Sequence, residues 1–234
     1  MPPRKKSPAD EPDRTPAQVA VELGRKKEPT QSRGVETCER ILDAAANLLG
    51  EVGIERLSTN LVCERAGLTP PALYRYYPNK YAILAELGMR LMMSQNDLLE
   101  RWAVPATMQL SAPKFAQSVC QLFLDTLVLT RQATAGEWIT RSLRAVPALA
   151  PVRIGSHDHV TALIVTAFQG AYPDIDVARA RLTARLSVEV MYSAHELLFD
   201  DPALDPAEVG RLMSEMVATQ VVALRKDLAK SPSA

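Results

Sequence analysis

The sequence predicts an all-α chain, and three observations carry that reading. From Val35 onward, apolar residues recur at three- and four-residue spacing, with no strand-like alternation. The segments so marked are bounded by residues that cap helices and by prolines and glycines that end them. The 234 residues are 47% hydrophobic and 23% charged, the mixture of a globular chain with a core to bury. No apolar run approaches the roughly 18 residues of a membrane span, and Met1-Pro2-Pro3-Arg4-Lys5-Lys6 leads into polar residues rather than a signal segment. Cys38, Cys63 and Cys120 are odd in number and widely spaced, which fits neither a disulfide framework nor a paired-cysteine metal site. Reduced thiols and a cytoplasmic location are expected.

Residues 1–34 hold six of the 17 prolines and few large aliphatics, so a flexible arm is expected there. Within it, Thr15-Pro16-Ala17-Gln18 has the form of a helix start and Gly24 of a stop. The arm carries two basic clusters, Arg4-Lys5-Lys6 and Arg25-Lys26-Lys27. Its net charge is +3, from eight basic and five acidic residues, while 35–90 is −1, 91–234 is −2 and the whole chain is neutral. Any contact with a polyanion is therefore local and toward the N-terminal end; the arm itself is either a solvated tail or a strand that touches phosphate or minor groove.

A first helix is predicted over Glu36 to Val52, from Ile41, Ala45, Leu48, Leu49 and Val52, with Gly53 as its stop. Two short helices follow, Ser58 to Ala66 ended by Gly67, and Pro70 to Tyr77 ended by Pro78, the second capped by Thr69 with proline in its first turn. Asn79 caps a fourth, Lys80 to about Trp102. Five more are expected, about Pro113 to Arg131, Ala135 to Val146, Val152 to Ala171, Val177 to Phe199 and Pro206 to Leu228, with Ser111, Asp176 and Asp205 as caps. The run Asp205-Pro206-Ala207-Glu208 supplies cap, first-turn proline and N3 acid together.

Residues Ser58 to Tyr77 have the layout of a helix-turn-helix. Small Cys63 allows close approach, Gly67 supplies the turn, and Val62, Ala66, Leu68 and Leu73 are the contacts between the two helices. Leu73 and Tyr77 share an inward face, which leaves Pro71, Ala72 and Arg75 outward and Tyr74 and Tyr76 on the flanks.

The stretch Glu39 to Leu87 resembles the DNA-binding domain of the TetR (tetracycline-repressor-like) family of bacterial transcription regulators. The resemblance rests on the Ile41-Leu42-x-Ala44-Ala45 opening, the Gly53 stop, Ala66-Gly67-Leu68, Ala72-Leu73-Tyr74-x-Tyr76-Tyr77, and Asn79-Lys80 before Leu84. Departures are Cys63 for the usual alanine, Tyr77 for phenylalanine, and Pro78 where lysine or serine is common. Carried over, the family pattern puts Tyr76 and Lys80 against phosphates, with Ser58 and Thr59 at another phosphate. It assigns base reading to Arg75, with Thr69, Pro70, Pro71 and Ala72 at the helix start; Tyr74 and Asn60 complete the expected DNA-contacting set. The domains so implied are the arm 1–34, a helix-turn-helix DNA-binding domain 35–80, and a helical effector-binding and dimerisation bundle 81–234.

In the bundle, the apolar faces of the last two helices complete a core or pair with a twofold copy. The resemblance implies a homodimer, with Leu186, Val190, Leu197, Met213, Met216, Val217 and Val221 as interface candidates. It also implies an apolar effector cavity, for which Trp102, Phe115, Phe123, Trp138, Phe168 and Tyr172 are candidates, although such residues are by default ordinary core. His157-Asp158-His159 has the wrong spacing for one helix face, and His195-Glu196 has Phe199 where a second ligand would stand, so no metal is expected. No Gly-rich phosphate loop or nucleophile elbow occurs, and the chain reads as a non-enzyme without a cofactor. The expectation is a homodimeric transcription regulator that binds a pseudo-palindromic DNA operator, a repressor released by a small, largely apolar ligand. The alternatives are an activator of the same family and a helical ligand-binding protein without DNA binding.

Overall fold

The computed structural model describes residues 21–228. The described residues form ten α-helices: α1 Ser32–Arg56, α2 Thr59–Ala66, α3 Pro70–Tyr74, α4 Lys80–Trp102, α5 Pro105–Met108, α6 Ala112–Gln132, α7 Gly136–Ala145, α8 Ala150–Ala171, α9 Val177–Asp200 and α10 Pro206–Leu228. They contain no strand, and no helix among them is long and apolar enough to cross a membrane. The helix start expected at Thr15 lies outside the described residues.

Four helix starts follow from side-chain chemistry. Ser58 Oγ accepts from the Leu61 amide at 3.3 Å, Asn79 Oδ1 from Ala82 at 3.0 Å, Asp176 from Ala178 and Arg179 at 3.0 and 3.1 Å, and Asp205 from Ala207 at 3.0 Å. Each satisfies an amide that the first helical turn leaves unpaired. Thr69 and Ser111 stand at the expected cap positions but make no side-chain cap bond. Gly67 is left-handed (φ 61°), and the amides of Gly67 and Leu68 close the end of α2 on Glu64 and Cys63.

Three boundaries differ from expectation. Helix α1 starts at Ser32 rather than Glu36, and Gly53 (φ 73°) breaks it, after which a last turn runs on to Arg56. Helix α3 is only five residues long; Tyr76 and Tyr77 both donate to the Leu73 carbonyl, at 2.9 and 3.0 Å, in a tightened turn. Two short pieces, α5 and the 3-10 turn Pro147–Leu149, were not anticipated, since three or four residues carry no periodicity.

Helices α1 to α3 pack around Ile41, Leu49, Leu57, Val62, Leu73 and Tyr77, all fully buried or nearly so. The bundle joins this core through α4, α6 packs along α10, and α8 pairs with α9 and α4. A Cβ at Gly210 would stand 2.8 Å from the Phe123 ring, which is why α10 can lie so close to α6. Cys38, Cys63 and Cys120 are free thiols.

Between α6, α8 and α9 the core is polar, and its rings stack in pairs. Phe123 stacks on His195 at 4.4 Å, and His157 on Tyr192 at 4.6 Å. His195 Nε2 donates to the Phe123 carbonyl at 3.1 Å, and His157 Nδ1 to Glu189 at 3.0 Å. Burial holds His195 neutral, its pKa pushed down from 6.5 to about 4. The unfolded chain takes up that proton below about pH 6.5 and the native chain only below about pH 4, so this contribution is complete above 6.5 and shrinks as the pH falls to 4. The expected loss across that window is ~3 kcal/mol. Urea unfolding of His195→Phe and the unaltered chain from pH 7.5 to 4 should show a shallower pH dependence for the variant; parallel curves would refute the assignment.

Candidate nucleic-acid interface

Helices α2 and α3 present one continuous face. Asn60, Thr69, Pro70, Pro71, Tyr74 and Arg75 are exposed, and Ala72, Ser58, Thr59 and Lys80 are half-buried at its edges. The face is held from behind by Leu73 and Tyr77 and from the side by Thr59 Oγ1, 2.9 Å from the Tyr74 hydroxyl. Arg75 makes no ion pair among the described residues and sits 5.9 Å over the Tyr76 ring, so its guanidinium remains available for a base edge or phosphate. The expected inward pair, Leu73 and Tyr77, is as predicted.

Two site residues are placed differently from expectation. The Tyr76 ring is 8% exposed rather than on the flank: its hydroxyl lies against Gly34 at the start of α1, and its carbonyl accepts from the Lys26 amide at 2.8 Å. The ring therefore packs into the core of α1 to α3 beneath Arg75. Lys80 is neither solvated nor wholly free. Its ammonium donates to the carbonyls of Ile54 and Leu57, at 3.1 and 2.9 Å, and so closes the C-terminal end of α1. The third N–H of that ammonium, the open turn of α2 and the first turn of α4 surround a surface notch lined by Ser58, Thr59, Tyr74 and Asn79, with Arg56 and the carboxylate of Glu55 also on its wall. This is donor chemistry suited to a phosphate.

The larger surprise is the segment 21–31. The sequence marks it as part of a flexible arm, yet it runs as an ordered strap across the end of α3 and the start of α4. Asn79 donates to the Glu22 carbonyl at 3.0 Å, and Arg25 pairs with Glu86 and lies 5.6 Å over the Tyr77 ring. The Tyr77 hydroxyl also donates to Glu86, at 2.9 Å, and Arg90 joins Glu86 at 3.0 Å while holding Glu39 through two bonds of 2.7 Å. The Arg90 hydrogen bonds hold the Glu39 carboxyl below its ordinary range, and burial pushes the Tyr77 hydroxyl up. Arg25 is thus spent inside the domain and is not a DNA-contacting cation. Lys26 and Arg33, by contrast, are exposed on backbone that the strap and α1 hold beside Tyr76. Sequence reasoning put Lys26 on an arm that is either solvated or touches phosphate, and missed Arg33; that both flank an aromatic-rich helix is visible only in three dimensions.

In the bundle, the aromatic residues expected around a cavity are mostly packed. Phe115, Phe123 and Phe168 are fully buried core, and Trp138 is exposed under Arg141 rather than lining an interior. Trp102 and Tyr172 are half-buried, Tyr172 donating to the Met108 carbonyl at 3.2 Å. The dimer candidates divide. Leu186, Leu197 and Met216 are exposed and Val190 half-buried, but Met213, Val217 and Val221 are buried within the chain. Leu182 and Leu212, absent from the expected set, are exposed at 62% and 49%, so the unpartnered apolar face of α9 and α10 runs through Leu182, Leu186, Leu212 and Met216. Among the described residues no group of His, Cys, Asp and Glu is arranged to hold a metal ion.

A short pair of helices with an outward second helix, locked to a longer helix that enters a bundle, defines a helix-turn-helix DNA-binding protein. The sequence profile described as bacterial regulatory proteins, tetR family, matches residues 41–87, and over this region the chain is similar to that family. It is similar to the class D tetracycline repressor of Escherichia coli, 36% identical over 59 residues, which are 25% of this chain and 27% of that repressor. The chain thus matches about a quarter of that relative's length, and the agreement is confined to the DNA-binding region. Solved structures are similar over more of the chain. A TetR-family transcriptional regulator from Streptomyces coelicolor matches with a TM-score of 0.57 and 22% identity, over 80% of this chain and 99% of that one. SmeT, the repressor of the Stenotrophomonas maltophilia efflux pump SmeDEF, matches at 0.60 and 19%, over 78% and 88%, and has also been solved as a complex with triclosan. At these identities the likeness shows the fold of the bundle.

Glu86→Gln removes the charge on which the strap, α3 and α4 converge. The variant is expected to lose about 2 kcal/mol of stability, the order of a hydrogen bond to a charged partner. It should also expose Arg25, Lys26 and Lys27 to trypsin at times when the unaltered chain resists. Equal cleavage rates would show that Glu86 does not hold the strap.

Proposed function

We propose that this chain is a homodimeric, sequence-specific transcription regulator that represses by occupying a pseudo-palindromic operator and is released by a small, largely apolar ligand. The observation that carries this reading is the exposed α2–α3 face, where Arg75 stands unpaired above Tyr76 with the notch at Lys80 beside it. Arg75 reads a base edge in the major groove, with Pro70, Pro71 and Ala72 offering apolar contact and Asn60 and Tyr74 at the margins. Ser58, Thr59 and Lys80 fix register on phosphates, and Lys26 and Arg33 add cations at the far end of α3. Two half-sites about 34 to 36 Å apart require two copies, and the exposed face of α9 and α10 offers a surface for the twofold contact. Repression and the binding of a small ligand are supported by the SmeT repressor and its triclosan complex, through likeness of fold.

In vitro selection of bound duplexes from a random library by the purified protein tests this reading. It should recover a pseudo-palindromic site; no enrichment even at low salt would overturn it. On the recovered site, Arg75→Ala is expected to cost about 1 to 3 kcal/mol and relax the preference at one base position. Lys80→Ala should weaken binding to all duplexes alike, reduce the salt slope by about one, and lower protein stability by about 1 to 2 kcal/mol through the lost carbonyl contacts. A Lys80→Ala protein with an unchanged salt slope would remove the phosphate assignment.

A further inference from the structure

Apart from a groove between α6 and α10, three openings of the bundle adjoin one another in a series. Between α4 and α6 lies a surface cleft of about 530 Å³ that includes Leu98, Arg101, Trp102, Lys114, Leu122 and Asp125. Trp102 and Leu122 also wall a buried void of about 40 Å³, whose other surfaces come from apolar residues of α4, α6, α8, α9 and α10, with Ser187. Leu99 and Met191 in turn separate that void from a smaller opening of about 10 Å³ bordered by Gln95, Thr126 and Tyr192. Each pair of neighbours thus shares two lining residues.

We propose that this series is the closed state of a tunnel for an amphipathic organic acid, a slender apolar chain ending in an anionic group, with Trp102 and Leu122 as its gate. The inference rests on the ligand-responsive reading above and names the ligand class of that function. The mouth sets the head group. Arg101 and Lys114 have no ion pair among the described residues, while the one acid there, Asp125, accepts from Gln121 at 2.8 Å. The indole N–H of Trp102 is buried without an acceptor, an unfavourable arrangement that a ligand oxygen at the gate relieves. The middle sets the body, since the buried void is apolar on every side except for the Ser187 hydroxyl, which is already donated to Thr183.

The far end sets the polarity of insertion. The Tyr192 hydroxyl donates to Gln95 at 2.8 Å, Gln95 to Thr130 at 2.8 Å, and Thr130 to the Thr126 carbonyl at 2.8 Å. That chain of donors is complete in itself and calls for no polar group from a ligand, so the acid belongs at the mouth and the apolar tail at the blind end. Pockets that hold small ligands run to roughly 300 Å³ or more, so entry requires the gate to swing and α4 to part from α6. Met191 and Met213, unbranched and adaptable, allow the walls to re-pack around the chain.

Trp102 and Trp138 are the two tryptophans, so Trp138→Phe leaves the gate as the sole tryptophan, excited selectively over the tyrosines at the red edge of absorption. This protein is titrated, without DNA and below micelle-forming concentrations, with linear alkanoates from hexanoate to dodecanoate and with the matching alcohols. The expected result is a saturable change in Trp102 emission, with affinity rising about fourfold per methylene and the acid bound at least tenfold more tightly than the alcohol. Arg101→Gln with Lys114→Gln, both surface changes, should bring acid and alcohol level, and Val188→Phe should abolish binding by filling the void. Absence of saturable binding, affinity independent of chain length, or equal binding of acid and alcohol by the unaltered mouth would each overturn the proposal. Because DNA is absent, such a failure leaves the DNA reading standing, and a protein that binds the acids but no duplex leaves the tunnel standing.

Discussion

The carboxylate of Glu86 is the constraint on which the DNA-facing half of the molecule depends. It receives Arg25 from the strap, the Tyr77 hydroxyl from the end of the recognition helix and Arg90 from its own helix, and Arg90 reaches on to Glu39 in α1. Helix α3 has five residues and cannot fix its own direction by internal hydrogen bonds. Its attitude comes from Leu73 and Tyr77 beneath it and from this knot at its end. A half-buried charge so placed is stabilised because each of these neighbours donates to it. The same arrangement makes α4 the rod to which the reading head is fastened.

That rod also enters the bundle. Its 23 residues span about 34 Å, with Lys80 and Glu86 at one end and Leu99 and Trp102 at the other. Any event that shifts α4 against α6 near Trp102 is therefore felt at the notch beside α2 and α3, with no intervening loop to absorb it. Along its length Gly88 admits Leu143 of α7, where a Cβ would stand 2.6 Å from the leucine side chain, so α4 is gripped on that side too. On the ligand-responsive reading proposed above, coupling between the bundle and α2 and α3 runs through this one helix.

Much of this was legible in the sequence, and the reasons are local. Ser58, Asn79, Asp176 and Asp205 cap the helices they precede because the unpaired amides lie two or three residues ahead of them. Gly67 ends α2 because only a left-handed residue turns the chain there. What was not legible depends on partners far along the chain. The strap reads as a tail because its segment lacks apolar residues, and its order comes instead from Arg25 meeting a carboxylate 61 positions away. Helix α10 is apolar over more than one face, so periodicity could not say that Met213, Val217 and Val221 turn to α6 while Leu212 and Met216 face outward. Composition likewise could not separate Phe115, Phe123 and Phe168, which are packing, from Trp102, which borders the openings.

The central claim is that one face, the starts of α2 and α3 with the strap behind them, meets DNA. Amide hydrogen exchange, measured on the free protein, on its complex with a selected duplex and on a mixture with a scrambled duplex, tests it most directly. The account predicts slowed exchange at residues 59–61, 72–77 and 22–26 with the selected duplex, a weaker effect with the scrambled one, and unchanged outer faces on α6 and α10. Protection confined to the bundle, or the same pattern with either duplex, would contradict it.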